Sequence, residues 1–207
     1  MPARREIWKS TKIYIGAVIL GSVVGMMTLV GQKYLPMNLN FLANSGAVWL
    51  IPAFLWSCFA KGNKRRAVAA AVVCLLGCVY GYYIFEAVSN RHAFTLYSGI
   101  LLWSAVALIA GTVFGLGAWL ANREDSRLKY FGMNLLPAVF TAEGLDQVIH
   151  IEGYTHMIPA VILKIVIGVI LYLTINGKDA AKTRNVVSYA LLPVLGIAGF
   201  AVLSGCV

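Results

Sequence analysis

Charge is scarce in this chain, and acidic charge scarcest. Only eight residues are Asp or Glu, and 12% are charged in all, where a soluble domain carries about 25%. With 60% of the residues hydrophobic, too little polar material remains to cover a soluble domain beside the apolar stretches. Catalytic signatures are also lacking. There is no Gly-rich phosphate loop, no Gly-x-Ser-x-Gly elbow, no Cys-x-x-Cys and no His-Glu-x-x-His. Ser45 and Ser98 have small neighbours but no identifiable base, and a hydrolase pairing a serine with His150 has no triad spacing behind it. The reading therefore leans away from an enzyme. Of the four cysteines, Cys58, Cys74 and Cys78 fall in apolar stretches and Cys206 near the end. Cys74 and Cys78 stand one helical turn apart, yet no other soft ligand accompanies them, so packing is the expected role. The opening has the outline of a signal peptide, but its apolar run from Ile13 to Val30 is too long and Val30-Gly31-Gln32 is not a small-x-small cleavage site. Neither a Gly at position 2 nor a prenylation box around Cys206 is present.

What the chain has instead is basic charge in a pattern. Fourteen of the seventeen Lys and Arg residues fall in four clusters: Arg4/Arg5/Lys9/Lys12, Lys61/Lys64/Arg65/Arg66, Arg123/Arg127/Lys129 and Lys178/Lys182/Arg184. One cluster follows every second long apolar stretch, and the loops between hold only Lys33 and Arg91. Basic residues beside spans are retained on the cytoplasmic side, so the alternation maps a topology. The net charge of +9 flanks apolar runs and forms no stripe or nucleic-acid motif, so nucleic acid is not expected as a partner. Anionic lipid headgroups are.

A crossing needs about 20 mainly apolar residues. Seven stretches qualify, at roughly 13–31, 41–60, 67–88, 95–121, 131–149, 157–176 and 186–206. In lipid each backbone group must be satisfied within its own segment, so all are expected to be helices. The expected fold is an all-α polytopic transmembrane bundle, a single transmembrane domain over residues 1–207 with seven spans. Its N-terminus is cytoplasmic and its C-terminus outside. Span two, with Asn40, Asn44 and Pro52, and span five, with Pro137, Glu143 and Asp146, are the least apolar. Small residues recur at four-residue spacing in Gly21/Gly25, Gly77/Gly81 and Gly111/Gly115, which suits close helix packing within one chain or, alternatively, across a homo-oligomer. Trp49, Trp56, Trp103, Trp119 and the tyrosines at 80, 82 and 83 lie toward span ends, as in an interfacial aromatic belt.

Ionisable groups within spans cost about 2.5–3.5 kcal/mol each by insertion scales and usually face the bundle interior or water. Four are found: Glu86, Glu143, Asp146 and Lys164. Glu143 lies seven residues before the outer end of span five and Lys164 seven residues into span six, each about 10 Å below the surface. An ion pair between them is expected, with Asp146 one turn above. Glu143, Asp146, Gln147 and His150 stand at i, i+3, i+4 and i+7 on one helix face, which should line a cleft opening outward. Glu86, Asn40 and Asn44 approach from the same side, with His92, Glu152 and His156 in outer loops. The inner half is expected to hold few polar groups beyond the basic loops. Three readings follow: a binding or transport site for a small polar solute or ion, with Glu143, Asp146 and Lys164 central and Glu86, Asn44 and His150 as its rim; a structural or accessory protein whose charges only pack helices; and a metal-dependent membrane enzyme using His150, His156 and carboxylates, whose ligand types suit zinc or iron at a spacing that matches no motif. No cofactor is indicated.

Asn44-Ser45-Gly46-Ala47-Val48-Trp49-Leu50-Ile51-Pro52-Ala53-Phe54, Gly111-Thr112-Val113-Phe114-Gly115-Leu116-Gly117-Ala118-Trp119 and Ala142-Glu143-Gly144-Leu145 together resemble an uncharacterised family of bacterial integral membrane proteins, a domain of unknown function. The resemblance implies a multi-pass protein of the bacterial cytoplasmic membrane, offers no catalytic residues, and makes Asn44, Trp49 and Glu143 the positions the family is expected to share.

Overall fold

The apolar stretches fold as helices because in each of them side chains offer no alternative partner for the backbone and Gly, Pro or Asn punctuates the ends. The computed structural model describes residues 2–60, 63–124, 127–152 and 157–204. Its helices are α1 (Pro2–Tyr34), α2 (Met37–Ala43), α3 (Gly46–Cys58), α4 (Lys64–Ser89), α5 (Ser98–Ala121), α6 (Lys129–Ile149), α7 (Ile158–Asn176) and α8 (Thr183–Ser204), and no strand occurs among the described residues. The chain is all-α, as expected.

Five helical segments are long and apolar enough to cross a membrane: 11–34, 64–89, 98–121, 158–179 and 183–202. The two weakest stretches depart from this group. Span two is not one helix. It breaks at Asn44-Ser45 into the short α2 and the 13-residue α3, whose length of about 20 Å is less than a bilayer core. Span five, as α6, has the length for a crossing with 21 residues but falls outside the apolar five, as a helix carrying Lys129, Glu143 and Asp146 would.

The bundle is built inside-out relative to a soluble protein. Its interior is small: Ala17, Ala47, Ala53, Ala70, Ala71, Cys74 and Cys78 are buried, while Ile19, Met27, Ile109, Ile170 and Leu195 project outward. In lipid, close backbone approach replaces the hydrophobic drive between helices. A side chain on Gly21 would meet the Cys74 carbonyl and one on Gly25 the Cys78 carbonyl. These contacts rise together along both helices, so α1 and α4 run parallel. Gly111 and Gly115 seat α5 against Val72 and Val68 in the opposite sense.

At one end of the bundle the basic loops converge. Trp119 receives Lys64 Nζ at 5.8 Å and Arg123 Cζ at 4.9 Å from its ring centre, and Asn122 donates to the Cys58 carbonyl. The same end holds a group the sequence reading missed in expecting few polar residues there. Buried Asn134 of α6 donates to Asn185 Oδ1 of α8 (2.7 Å) and accepts from Asn176 of α7 (2.9 Å). Three helices are thereby tied by amides that are largely satisfied inside the bundle, the arrangement polar groups need in a low-dielectric interior.

Candidate functional site

The break between α2 and α3 organises the opposite end. Asn44 ends α2 with its side chain turned back onto Asn40, a local bond that competes with helix continuation. Ser45 is extended (φ −85°, ψ 119°) and starts α3. A serine in this place usually caps the free N–H groups of the first turn. Here its hydroxyl is spent elsewhere, donating to Glu143 Oε2 of α6 at 2.6 Å. The same carboxylate oxygen accepts the backbone N–H of Ala47 at 3.2 Å. The cap of α3 is thus a carboxylate from another helix, placed where the helix dipole favours negative charge.

The expected ion pair is present. Lys164 Nζ of α7 lies 2.8 Å from Glu143 Oε1. Both residues are buried, Lys164 at 1% and Glu143 at 6% exposure. With Lys164 on one oxygen and Ser45 and Ala47 on the other, both oxygens of the carboxylate are engaged and the charge is balanced. Ser45 directs its hydroxyl proton to this carboxylate, while His150 bonds back to its own helix.

Among the described residues, none of the other predicted site residues hydrogen-bonds the Glu143 carboxylate. Asp146 and Gln147 are half-buried on α6, and Asp146 Oδ1 and Gln147 Oε1 have no hydrogen-bond partner among the described residues. His150 caps the end of α6, exposed, with Nδ1 at 2.9 Å from the Asp146 carbonyl oxygen. Within the stripe, His150 Nδ1 also stands 3.7 Å from Asp146 Oδ1. Glu86 is half-buried on α4, and His92 and Glu152 are exposed. His156 lies outside the described residues. Among the described residues no three His, Cys, Asp or Glu side chains converge as metal ligands.

An open pocket of about 150 Å³ does lie at the break, one residue from the ion pair. Ser45 and Gly46 belong to its wall, with Thr28 and Gln32 from α1, Asn44, and four aromatic rings: Trp49 of α3, Tyr82 and Tyr83 of α4, and Trp103 of α5. The polar groups form a relay. Tyr82 donates to Gln32 Oε1 (2.8 Å), Gln32 Nε2 to Asn44 Oδ1 (2.7 Å), and Trp49 Nε1 to Thr28 Oγ1 (2.8 Å). The rings are mutually tilted, Trp49 at 6.4 Å from Tyr82 and 6.3 Å from Trp103, so they brace one another as walls. Of the residues singled out as a site in the sequence, only Asn44 contributes to this wall. The aromatics had an adequate explanation as an interfacial belt, and Gln32 and Thr28 gave no signal beyond being polar near a span end.

None of the curated proteins or solved structures compared matches the chain. Residues 4–206, nearly its whole length, match the family described as a family of unknown function, DUF6518, and the chain belongs to that family.

Proposed function

We propose that this is a multi-pass protein of the bacterial cytoplasmic membrane that binds a small polar solute or ion, for capture or transport. Entry is through the pocket at the α2–α3 break, from the face opposite the basic loops. The carrying observation is the open cavity whose wall residue Ser45 hydrogen-bonds the buried Glu143–Lys164 pair. Discontinuous helices are a recurrent way to place backbone and side-chain polar groups at a ligand within a membrane. In this reading Asn44, Gln32 and the aromatic walls meet the solute, and Glu143 and Lys164 hold the broken helix in place from behind. A packing role for those two charges is favoured by their burial, and it is compatible with a binding role for the pocket in front of them.

Solvent access tests the proposal. In a chain with its four native cysteines replaced, the thiol introduced by Asn44→Cys should react with a membrane-impermeant maleimide added from outside intact cells. The thiol introduced by Ala142→Cys, at a fully buried position beside Glu143, should stay unreacted until the protein is denatured. An unreactive position 44 in a folded, membrane-inserted protein would remove the outward-opening pocket and with it this function.

A further inference from the structure

The aromatic pocket has neighbours. A second cavity of about 100 Å³ shares Gly46, Trp49 and Trp103 with it and reaches Leu75 and Val79 of α4. A third, of about 410 Å³, shares Leu50, Ala110, Val139 and Phe200 with the second. It forms a groove among α5, α6 and α8 extending to Phe114 and Phe131. Chemistry changes along the series. Amide and hydroxyl groups line the first cavity, whereas the other two are walled by aliphatic and aromatic side chains and glycine. Trp103 at the polar end and Phe114 in the groove are eleven residues apart on α5, a distance of about 16 Å along its axis. The adjoining cavities form an amphipathic series, polar and compact at one end, apolar and elongated at the other.

The polar end favours one sign of charge. Four aromatic rings surround it, and ring faces attract cations, methylated ammonium groups above all. Neither Lys nor Arg is part of its wall. The nearby Lys33 turns its ammonium over the Tyr34 ring at 5.6 Å, and Glu86 stands one helical turn beyond Tyr82. A cavity near 150 Å³ takes a molecule about the size of benzene, which is also the order of size of a methylated ammonium head.

We propose that the three cavities form one site for a single-chain amphiphile with a compact organic-ammonium head group. Its head sits among Trp49, Tyr82, Tyr83 and Trp103, and its hydrocarbon chain passes along the groove between α5 and α8. The proposal rests on the pocket being a binding site, as in the preceding section, and names the ligand class. The adjoining of groove and pocket through shared wall residues and the electrostatic fit of the rings argue for this occupant.

The test uses the full chain in nanodiscs of phosphatidylglycerol and phosphatidylethanolamine, whose head groups carry no methylated ammonium. Saturable binding of radiolabelled dodecyltrimethylammonium is measured, with retention by empty nanodiscs subtracted. Tetramethylammonium and 1-dodecanol serve as competitors. The long-chain ammonium should bind about tenfold or more tightly than tetramethylammonium because its chain leaves water for the groove, and dodecanol should compete poorly. Ala110→Trp, filling the junction of the second and third cavities, should erase the advantage of the chain while tetramethylammonium still binds. Leu195→Trp, at the exposed edge of the groove, serves where Ala110→Trp does not fold. Trp103→Leu should weaken both ammonium probes about tenfold, the loss expected with an aromatic wall of a desolvated cation site. Saturable tetramethylammonium binding with no gain from the chain would overturn the amphiphile and leave the pocket standing. Equal competition by dodecanol would overturn the cationic head group. Absence of saturable binding by either ammonium would overturn the proposal whole, and maleimide access at position 44 would separately decide whether the pocket opens.

Discussion

Glu143 is the residue on which several elements depend. Its carboxylate balances Lys164, receives the Ser45 hydroxyl and caps α3 through Ala47. Removing one partner of a buried ion pair leaves a charge without compensation and costs about 3–5 kcal/mol, whereas replacing the whole pair with well-fitted uncharged groups is often neutral. Glu143→Gln alone, or Lys164→Met alone, should therefore lower the unfolding midpoint in detergent sharply and reduce accumulation in the membrane. Glu143→Gln with Lys164→Met should recover most of the loss, because the glutamine carbonyl still accepts from Ser45 and Ala47 while no charge remains. A double variant no more stable than the singles would show that the ion pair itself, and not the cap on α3, holds the helices. The pair was legible in the sequence because helical rise is fixed: equal residue counts from a shared short loop put the two side chains at equal depth. Ser45 was not legible as their partner. It is nearly a hundred positions from Glu143 in sequence, and only the break in span two turns its hydroxyl inward.

Among the elements, α3 and the α1–α4 pair carry the construction. The half-helix α3 begins within the bundle, so its first turn borders the pocket on one side and is capped by Glu143 on the other. That break is why the pocket beside Ser45 was not foreseen from the sequence. A run that includes Asn40, Asn44 and Pro52 reads equally as a poor continuous span or as two good pieces, and composition does not choose between them. The aromatics at 49, 82, 83 and 103 were visible, but their convergence on one pocket depends on how three helices rotate about their axes. The α1–α4 contact was readable as glycine spacing and is present as backbone-to-backbone approach. Gly25→Leu should disrupt it, since its side chain would strike the Cys78 carbonyl and the Tyr82 backbone, at an overpacking cost of about 1–3 kcal/mol or more. Because Tyr82 walls the pocket, the same variant should also lose ligand binding. Gly199→Ala on α8, where an added methyl meets no atom within 4 Å, is the matched control and should leave thermal stability within about 1 kcal/mol of the parent, on the favourable side if anything. Comparable losses from both glycines would mean that tolerance to any added bulk, and not the close crossing, is being measured.

Across the whole molecule, the charge map and the helix directions make a joint prediction about insertion. The basic loops meet at Trp119 on one end of the bundle, which under the positive-inside rule would be the cytoplasmic end. Reporters inserted near residues 62 and 126 of the full chain should therefore both read inside, and one after residue 207 outside. The α6 helix is the exception that makes the test sharper. It carries Glu143 and Asp146, acids that would cost up to about 2.5–3.5 kcal/mol each at the centre of a span, and the lysine that neutralises Glu143 arrives only with α7. Crossing by α6 should thus depend on the segment that follows it. A reporter fused after Glu152 in a chain truncated there should read inside, because α6 alone does not stay inserted. The same reporter sandwiched at residue 152 of the full chain should read outside, because Lys164 is then available. Lys164→Met in the sandwich should shift the signal back toward the inside. If the truncated and full-length chains report the same outside location, α6 inserts by its own hydrophobicity and the ion pair forms only afterwards, as a packing contact between helices already in place.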